Sequence, residues 1–404
     1  MADHQSTEPG ATLRRRALMT VVTFGIVSLL ADIVYEGARS IIGPYLFTLG
    51  ASAAAVGLIS GLGEFAGYAL RTITGMIADK TQGYWGMTIA GYGLTVVAVP
   101  LLGWVGRVDL ALALVVAERL GKAIRSPARD TLIANAAEPL GRGWGFGIHE
   151  ALDQIGAVAG PLLLALVLAL RDTDYKLAFT ILAVPGVLAM IALGVARRTT
   201  PEYVKHSQST STDETTSARL DRRPRMYLTF VFLSALGFAP FPLIAFHLTQ
   251  RSVAGDAQIP LMFALAMAVD AVVALVSGRM YDRRGLRVLL VLPLLSVLAA
   301  IVFTTTGWIV WVGVATWGAV MGIQESTLRA AVGDLATSTG PATAYGIFNA
   351  AYGIALLIGG VALGALYEVA ILAMVVMIIA SQIAAAVVLR TLVAQPLSNV
   401  PASP

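Results

Sequence analysis

Long apolar runs recur about every 25–35 residues along the whole chain, each long enough to cross a ~30 Å hydrocarbon layer as a helix. This pattern constrains the fold more than any other feature. Hydrophobic residues make up 57% of the 404 and charged residues only 13%, where soluble domains carry roughly 25% charge. A water-soluble globule of this composition would have too little polar surface to show. Inside hydrocarbon the backbone must satisfy its own hydrogen bonds, which leaves helices or closed barrels. The alternation of barrel strands is absent. The expected class is an all-α, polytopic membrane protein.

The runs predict twelve spans: 17–48, 52–78, 85–106, 109–136, 145–170, 177–196, 227–249, 260–280, 288–306, 308–334, 342–366 and 369–391. Segment 197–226 is polar and rich in Ser and Thr, as a flexible linker is. It divides the chain into a six-helix bundle over 1–196 and a second over 227–404. With the N-terminus inside, the inner segments collect seventeen Lys and Arg residues and the outer loops four (Arg107, Arg171, Lys176 and Arg251). That bias places both termini and the linker in the cytoplasm, as expected for a bacterial inner-membrane protein. The first apolar run continues past a signal-peptide core and lacks a small-residue cleavage site, so it reads as an uncleaved helix. There is no cysteine, and the four histidines are scattered. No metal site, cofactor or nucleic-acid partner is expected.

The two halves repeat each other. "GMIADKTQG" follows the second span and "GRMYDRRGLR" the eighth; Gly75 and Asp79 match Gly278 and Asp282 at an offset of 203. "WGFGIHEALDQIGAVAGP" aligns with "AYGIFNAAYGIALLIGG" at an offset of 199, and Arg129 and Arg329 stand 200 apart. In the loop element the glycine allows two helices to approach, and the carboxylate can cap a helix or pair with an arginine. The second copy adds Arg283, Gly285 and Arg287; the first has Lys80 in place of the arginine.

Charges inside spans are costly and mark function. In span one, Asp32 and Glu36 share a helical face, and Arg39 follows Glu36 by three. Two acids with one base leave an acid able to hold a proton. Span four carries six charges in thirteen residues, "ERLGKAIRSPARD": Glu118, Arg119, Lys122, Arg125, Arg129 and Asp130. Span five adds His149, Glu150 and Asp153, and span two Glu64 and Arg71. Later spans hold few: Asp270, Glu325, Arg329 and Asp334, with Arg279 and Arg390 at their inner ends. The first half therefore reads as the ion-coupling half. The second reads as an apolar wall, with Phe238, Phe241 and Trp317 as wall residues. His247, near an outer helix end, reads as interfacial.

Parallel six-span halves, the linker, the paired loop elements and the run Gly156 to Pro161 together resemble the major facilitator superfamily. "GAVAGP" resembles the Gly-x-x-x-Gly-Pro motif of its drug/proton antiporters, with Gly156, Gly160 and Pro161 in the motif positions. Span four resembles a bacterial branch of the superfamily reading roughly Asp-Arg-x-Gly-Lys-Gly-x-Arg-x-x-Pro-Arg-Asp. Here Glu118 replaces Asp, Ala123 replaces Gly, and Pro127 stands two places before Arg129. The resemblance implies a monomeric, proton-coupled exporter of a small organic molecule working by alternating access. Asp32, Glu36, Glu150 and Asp153 are the candidates for proton coupling. Arg39, Glu118, Arg119, Lys122, Arg125 and Phe238 are candidates for the substrate path. Gly75, Asp79 and Arg129, with Gly278, Asp282, Arg283 and Arg329, would form the cytoplasmic gate, Asp79 reaching Arg129 and Asp282 reaching Arg329 in the outward-open state. The other reading is a symporter or uniporter importing an anionic metabolite. An integral enzyme is not expected, because no nucleophile–base pair or nucleotide motif occurs.

Overall fold

A computed structural model describes residues 9–171, 173–200, 222–335 and 341–394. Much of the expected linker, 201–221, and the side chain of Asp334 lie outside the described residues. Among them there is helix and no strand. The helices are α1 (Pro9–Thr48), α2 (Ala53–Thr81), α3 (Tyr84–Leu102), α4 (Val108–Ala137), α5 (Arg142–Leu170), α6 (Tyr175–Ile181), α7 (Ala183–Thr199), α8 (Arg222–Leu236), α9 (Phe241–Gln250), α10 (Gln258–Arg284), α11 (Leu292–Ala299), α12 (Trp308–Ile323), α13 (Arg329–Leu335), α14 (Pro341–Val369) and α15 (Ile371–Ala394).

Nine helical stretches among the described residues are long and apolar enough to cross a membrane by length and composition, against the twelve expected spans. The difference has local causes. The charges of α4 keep it out of the set. The expected spans 260–280 and 288–306 merge into one stretch, Gln258–Phe303. The expected span 308–334 is broken: α12 ends after 16 residues and a π-helical turn, Gln324–Leu328, leads into α13.

Two compact units result, bounded as Met1–Gly50, Ala66–Thr212 and Ala254–Ala264 for the first, and Ala51–Phe65, Asp213–Val253 and Leu265–Pro404 for the second. The start of α2 thus groups with the second unit. Its glycines explain this. A Cβ on Gly57 would strike the Gly360 carbonyl of α14, and one on Gly61 would meet the Leu357 backbone. Such small-residue faces let helix backbones touch where no hydrophobic force separates helix from lipid. Glu368 of α14 then accepts a hydrogen bond from the Ala54 backbone N–H at 3.0 Å, satisfying a donor in the first turn of α2.

Breaks in the helices are repaired by side chains, as apolar surroundings require. Pro127 in α4 cannot donate to the Ala123 carbonyl; Thr74 Oγ1 of α2 donates there instead, at 2.8 Å. The expected span 227–249 breaks between α8 and α9. There Gln382 Nε2 donates to the Ser234 carbonyl (2.9 Å) and Trp317 Nε1 to the Ala239 carbonyl (2.9 Å). The Tyr227 hydroxyl donates to the Leu328 carbonyl of the π-turn at 2.6 Å.

Candidate functional site

The site is built on the seam between α1 and α5 in the first unit. Gly156 lies against the Leu29 backbone and Gly160 against the backbone of Ile33 and Gly37, with no room for a Cβ at either glycine. The offset between partners is constant, so α1 and α5 run parallel in close register. On that seam the carboxyls of Asp32 and Asp153 are close enough to act on each other's charge. Two carboxylates have only acceptors, so a hydrogen bond between two carboxyls takes one proton. Asp32 is 6% exposed. Oδ1 of Asp153 is buried and has no N–H or O–H donor among the described residues.

Glu36 is turned to Arg39, 3.5 Å away. The base of "ADIVYEGARS" is thus occupied by Glu36, and Asp32 is the acid that meets α5. The charges acting on Asp32 are those of Asp153, Lys122, Glu36 and Arg125, in that order.

The cations of α4 sit on tyrosine rings. Lys122 Nζ lies 3.6 Å from the Tyr35 ring centroid. The Arg119 guanidinium lies 4.7 Å from the same centroid, donates to the Tyr35 hydroxyl and pairs with Glu118 at 3.4 Å. Arg125 is 1% exposed, stands 4.4 Å from the Tyr92 centroid and donates to Thr95 Oγ1 at 3.0 Å. It is packed against α3, where Gly91 and Gly121 bring the two backbones together. Face-on cation–ring contacts of this kind offset part of the cost of burying charge.

A hydrogen-bonded chain also lies on α1, α4 and α5. His149 Nε2 is 2.8 Å from Ser28 Oγ, Arg129 Nη1 donates to the same oxygen at 3.0 Å, and Arg129 reaches Asp130 at 2.8 Å. Glu150 lies on the exposed face of α5, where Gln154 donates to it. The helix phase therefore separates Glu150 from Asp153.

The expected gate residues are placed as follows. Asp79 accepts from the Tyr84 hydroxyl at 2.9 Å, and Gly75 faces the Pro127 ring. Gly278 has open space around it, Asp282 and Arg283 are exposed, and Arg329 is exposed with its carbonyl accepting from Tyr345. Phe238 stacks on Trp317 with centroids 5.3 Å apart, inside the second unit. Pro161 lies inside α5.

Two readings of the second half change. His247 is buried at 2% exposure, with Nδ1 2.9 Å from the Tyr367 hydroxyl, so it is a core residue rather than an interfacial one. The second half is also less apolar than its composition suggests. Asp270 and Gln324 are buried, the latter accepting from Tyr352 at 2.8 Å. The tyrosines beneath the α4 cations were not singled out by charge counting. The available signal was Tyr35, flanked by Asp32 and Glu36 on the same span.

The sequence profile of the Major Facilitator Superfamily matches residues 24–360. Uncharacterized proteins of Mycobacterium tuberculosis and Mycobacterium bovis are 46% identical over 374 residues, covering 91% of this chain and 91% of each relative. An uncharacterized MFS-type transporter of Methanocaldococcus jannaschii is 29% identical over 227 residues, 55% of this chain and 54% of that one. Among solved structures, a mutant of a nucleoside transporter superposes with a TM-score of 0.75 at 12% identity, covering 92% of this chain and 99% of that one. A peptide transporter with bound alafosfalin gives 0.71 at 17%, covering 93% of both. At those identities the likeness is one of fold. The chain is a multi-pass membrane transporter and belongs to the major facilitator superfamily.

Proposed function

We propose that this transporter is proton-coupled and exports a small organic molecule in exchange for protons, by alternating access. The observation that carries the reading is the pair Asp32–Asp153, a buried acid and a second acid acting on each other's charge at the α1–α5 seam. Two carboxyls holding one proton, beside the ammonium of Lys122, form a group that can bind and release a single proton in a low-dielectric setting. Lys122 supplies the positive charge that can stand against the pair once the proton leaves. The chain His149–Ser28–Arg129–Asp130, whose His149 and Arg129 act on the charge of Asp153, ends at the more exposed Asp130, whose side chain is 46% accessible. Exchange, rather than co-transport, is supported by the Gly156–Gly160 seam, which occupies the positions of the antiporter motif. The same proposal includes twelve spans, cytoplasmic termini, bundles over 1–196 and 227–404, and a gate at Asp79, Arg129, Asp282 and Arg329.

Proteoliposomes containing a pH-reporting dye test this reading. An imposed pH gradient is combined in turn with tetraphenylphosphonium, ethidium, succinate and phosphate as probes. The proposal expects an organic probe to drive counter-movement of protons, lost in Asp32→Asn and in Asp153→Asn. Flux that ignores the gradient, or that is unchanged in both variants, rejects proton coupling. Proton-linked uptake of succinate or phosphate selects the importing alternative.

A further inference from the structure

A groove of about 670 Å³ lies along the last turns of α10 and has no part in the charged site described above. Its outer walls are the exposed side chains of Val276, Met280 and Val291. Ser277 and Ile323 line it from deeper positions, at 4% and 3% exposure. Arg284 and Arg287, both exposed, stand at one end. The groove exists because the chain does not turn directly from α10 into a new α-helix. Gly285 takes φ +56°, and Gly285–Val291 forms a 3₁₀ stretch before α11 begins.

Three features identify the occupant. From Val273, which also lines the groove, to Arg284 is about 16 Å of helical rise, the depth of one leaflet of a ~30 Å hydrocarbon core. The walls are apolar for that length, and the charge is confined to one end. The local charge is strongly positive: Arg279, Arg283, Arg284 and Arg287 against the single carboxylate of Asp282. The cation bias of the sequence puts that end at the cytoplasmic face. A soluble anion would gain nothing from the apolar walls, and a neutral lipid nothing from the arginines.

We propose that this groove binds one anionic phospholipid of the cytoplasmic leaflet, its headgroup phosphate on Arg284 and Arg287 and an acyl chain along Val276 and Met280. The groove floor connects to the break between α12 and α13. Ser277 Oγ is 3.0 Å from Ser326 Oγ and accepts from Thr327 Oγ1 at 3.1 Å, and both partners belong to the π-turn Gln324–Leu328. Ile323 is the residue before that turn. π-Turns are costly and tend to sit where a helix must shift.

Native mass spectrometry of the full chain, released from micelles doped with phosphatidylglycerol or phosphatidylcholine, tests the site. The proposal expects one phosphatidylglycerol retained per protein in preference to phosphatidylcholine. At about fivefold per interfacial arginine, Arg284→Gln with Arg287→Gln should weaken retention by about thirtyfold. Val276→Trp, which fills the groove and leaves the arginines, should weaken it as well. These positions are exposed, and a monodisperse elution profile establishes that each variant is folded. Equal retention of both lipids overturns the proposal. So does unchanged retention in the double arginine variant. Loss in that variant but not in Val276→Trp means a diffuse surface charge effect and also overturns it. Displacement of the lipid by millimolar inorganic phosphate would show an anion site without a lipid requirement, again against the proposal.

Discussion

Gly156 of α5 lies against the backbone of Leu29 of α1 with no space for a side chain. One turn away on the same seam, Asp153 meets Asp32. The glycine contact sets the distance between the two helices, and so the distance between the two carboxyls. Gly156→Val is therefore expected to destabilise the protein by about 1–3 kcal/mol through overpacking and to abolish proton-driven flux. Thermal unfolding in detergent reads the first effect and vesicle transport the second. A variant that loses stability while keeping full coupling would separate the seam from the acid pair.

The acids of the first half are not equivalent. If the pair binds one proton as proposed, Asp32→Asn and Asp153→Asn each remove one partner of the same group, and each is expected to lower proton-driven flux at least about tenfold, with the double variant no worse. Glu150→Gln, on the exposed face of α5, is expected to transport as the parent does. Additive losses in the double Asp variant would mean two independent sites.

The proposed coupling divides the cations of α4 into two roles. Both Lys122 and Arg125 act on Asp32, Lys122 the more strongly, and Arg125 is also held between Tyr92 and Thr95 on α3. Lys122→Gln is expected to remove coupling with little change in the melting temperature. Arg125→Met is expected to cost about 2–3 kcal/mol of stability, from the lost hydrogen bond and ring contact of a buried charge. Measuring both quantities on both variants checks the division; a reversed pattern contradicts it.

Pro127 leaves the Ala123 carbonyl to Thr74 of α2. Thr74→Val keeps the shape and removes the donor, so it is expected to destabilise by about 1–2 kcal/mol. Thr74→Ser retains the hydroxyl and should recover most of the loss. Urea or thermal unfolding of the pair distinguishes a hydrogen-bonding role from simple packing.

Much of this was legible in the chain because lipid imposes a strict pattern. Apolar length marked the helices, and the sparse charges marked the first half as the charged one. Periodicity could place Asp32, Glu36 and Arg39 on one face, but could not say which acid takes the arginine. That depends on side-chain reach across three residues, and Glu36 has it. The link from Asp32 to Asp153 crosses more than a hundred residues of sequence, and no local pattern contains it. Glu150 and Asp153 looked alike at three residues apart; the helix phase alone separates the exposed one from the paired one. The breaks at Gly237–Pro240 and Gln324–Leu328 were hidden inside apolar runs, because a run records the solvent and not the hydrogen bonding of the backbone.

The central claim is one proton shared by Asp32 and Asp153. The infrared pH-difference spectrum of the purified protein addresses it directly, through the carbonyl stretch of a protonated carboxylic acid. The account predicts one such band attributable to the pair, abolished alike by Asp32→Asn and by Asp153→Asn. A band that survives both substitutions, or that loses a separate component to each, would contradict it.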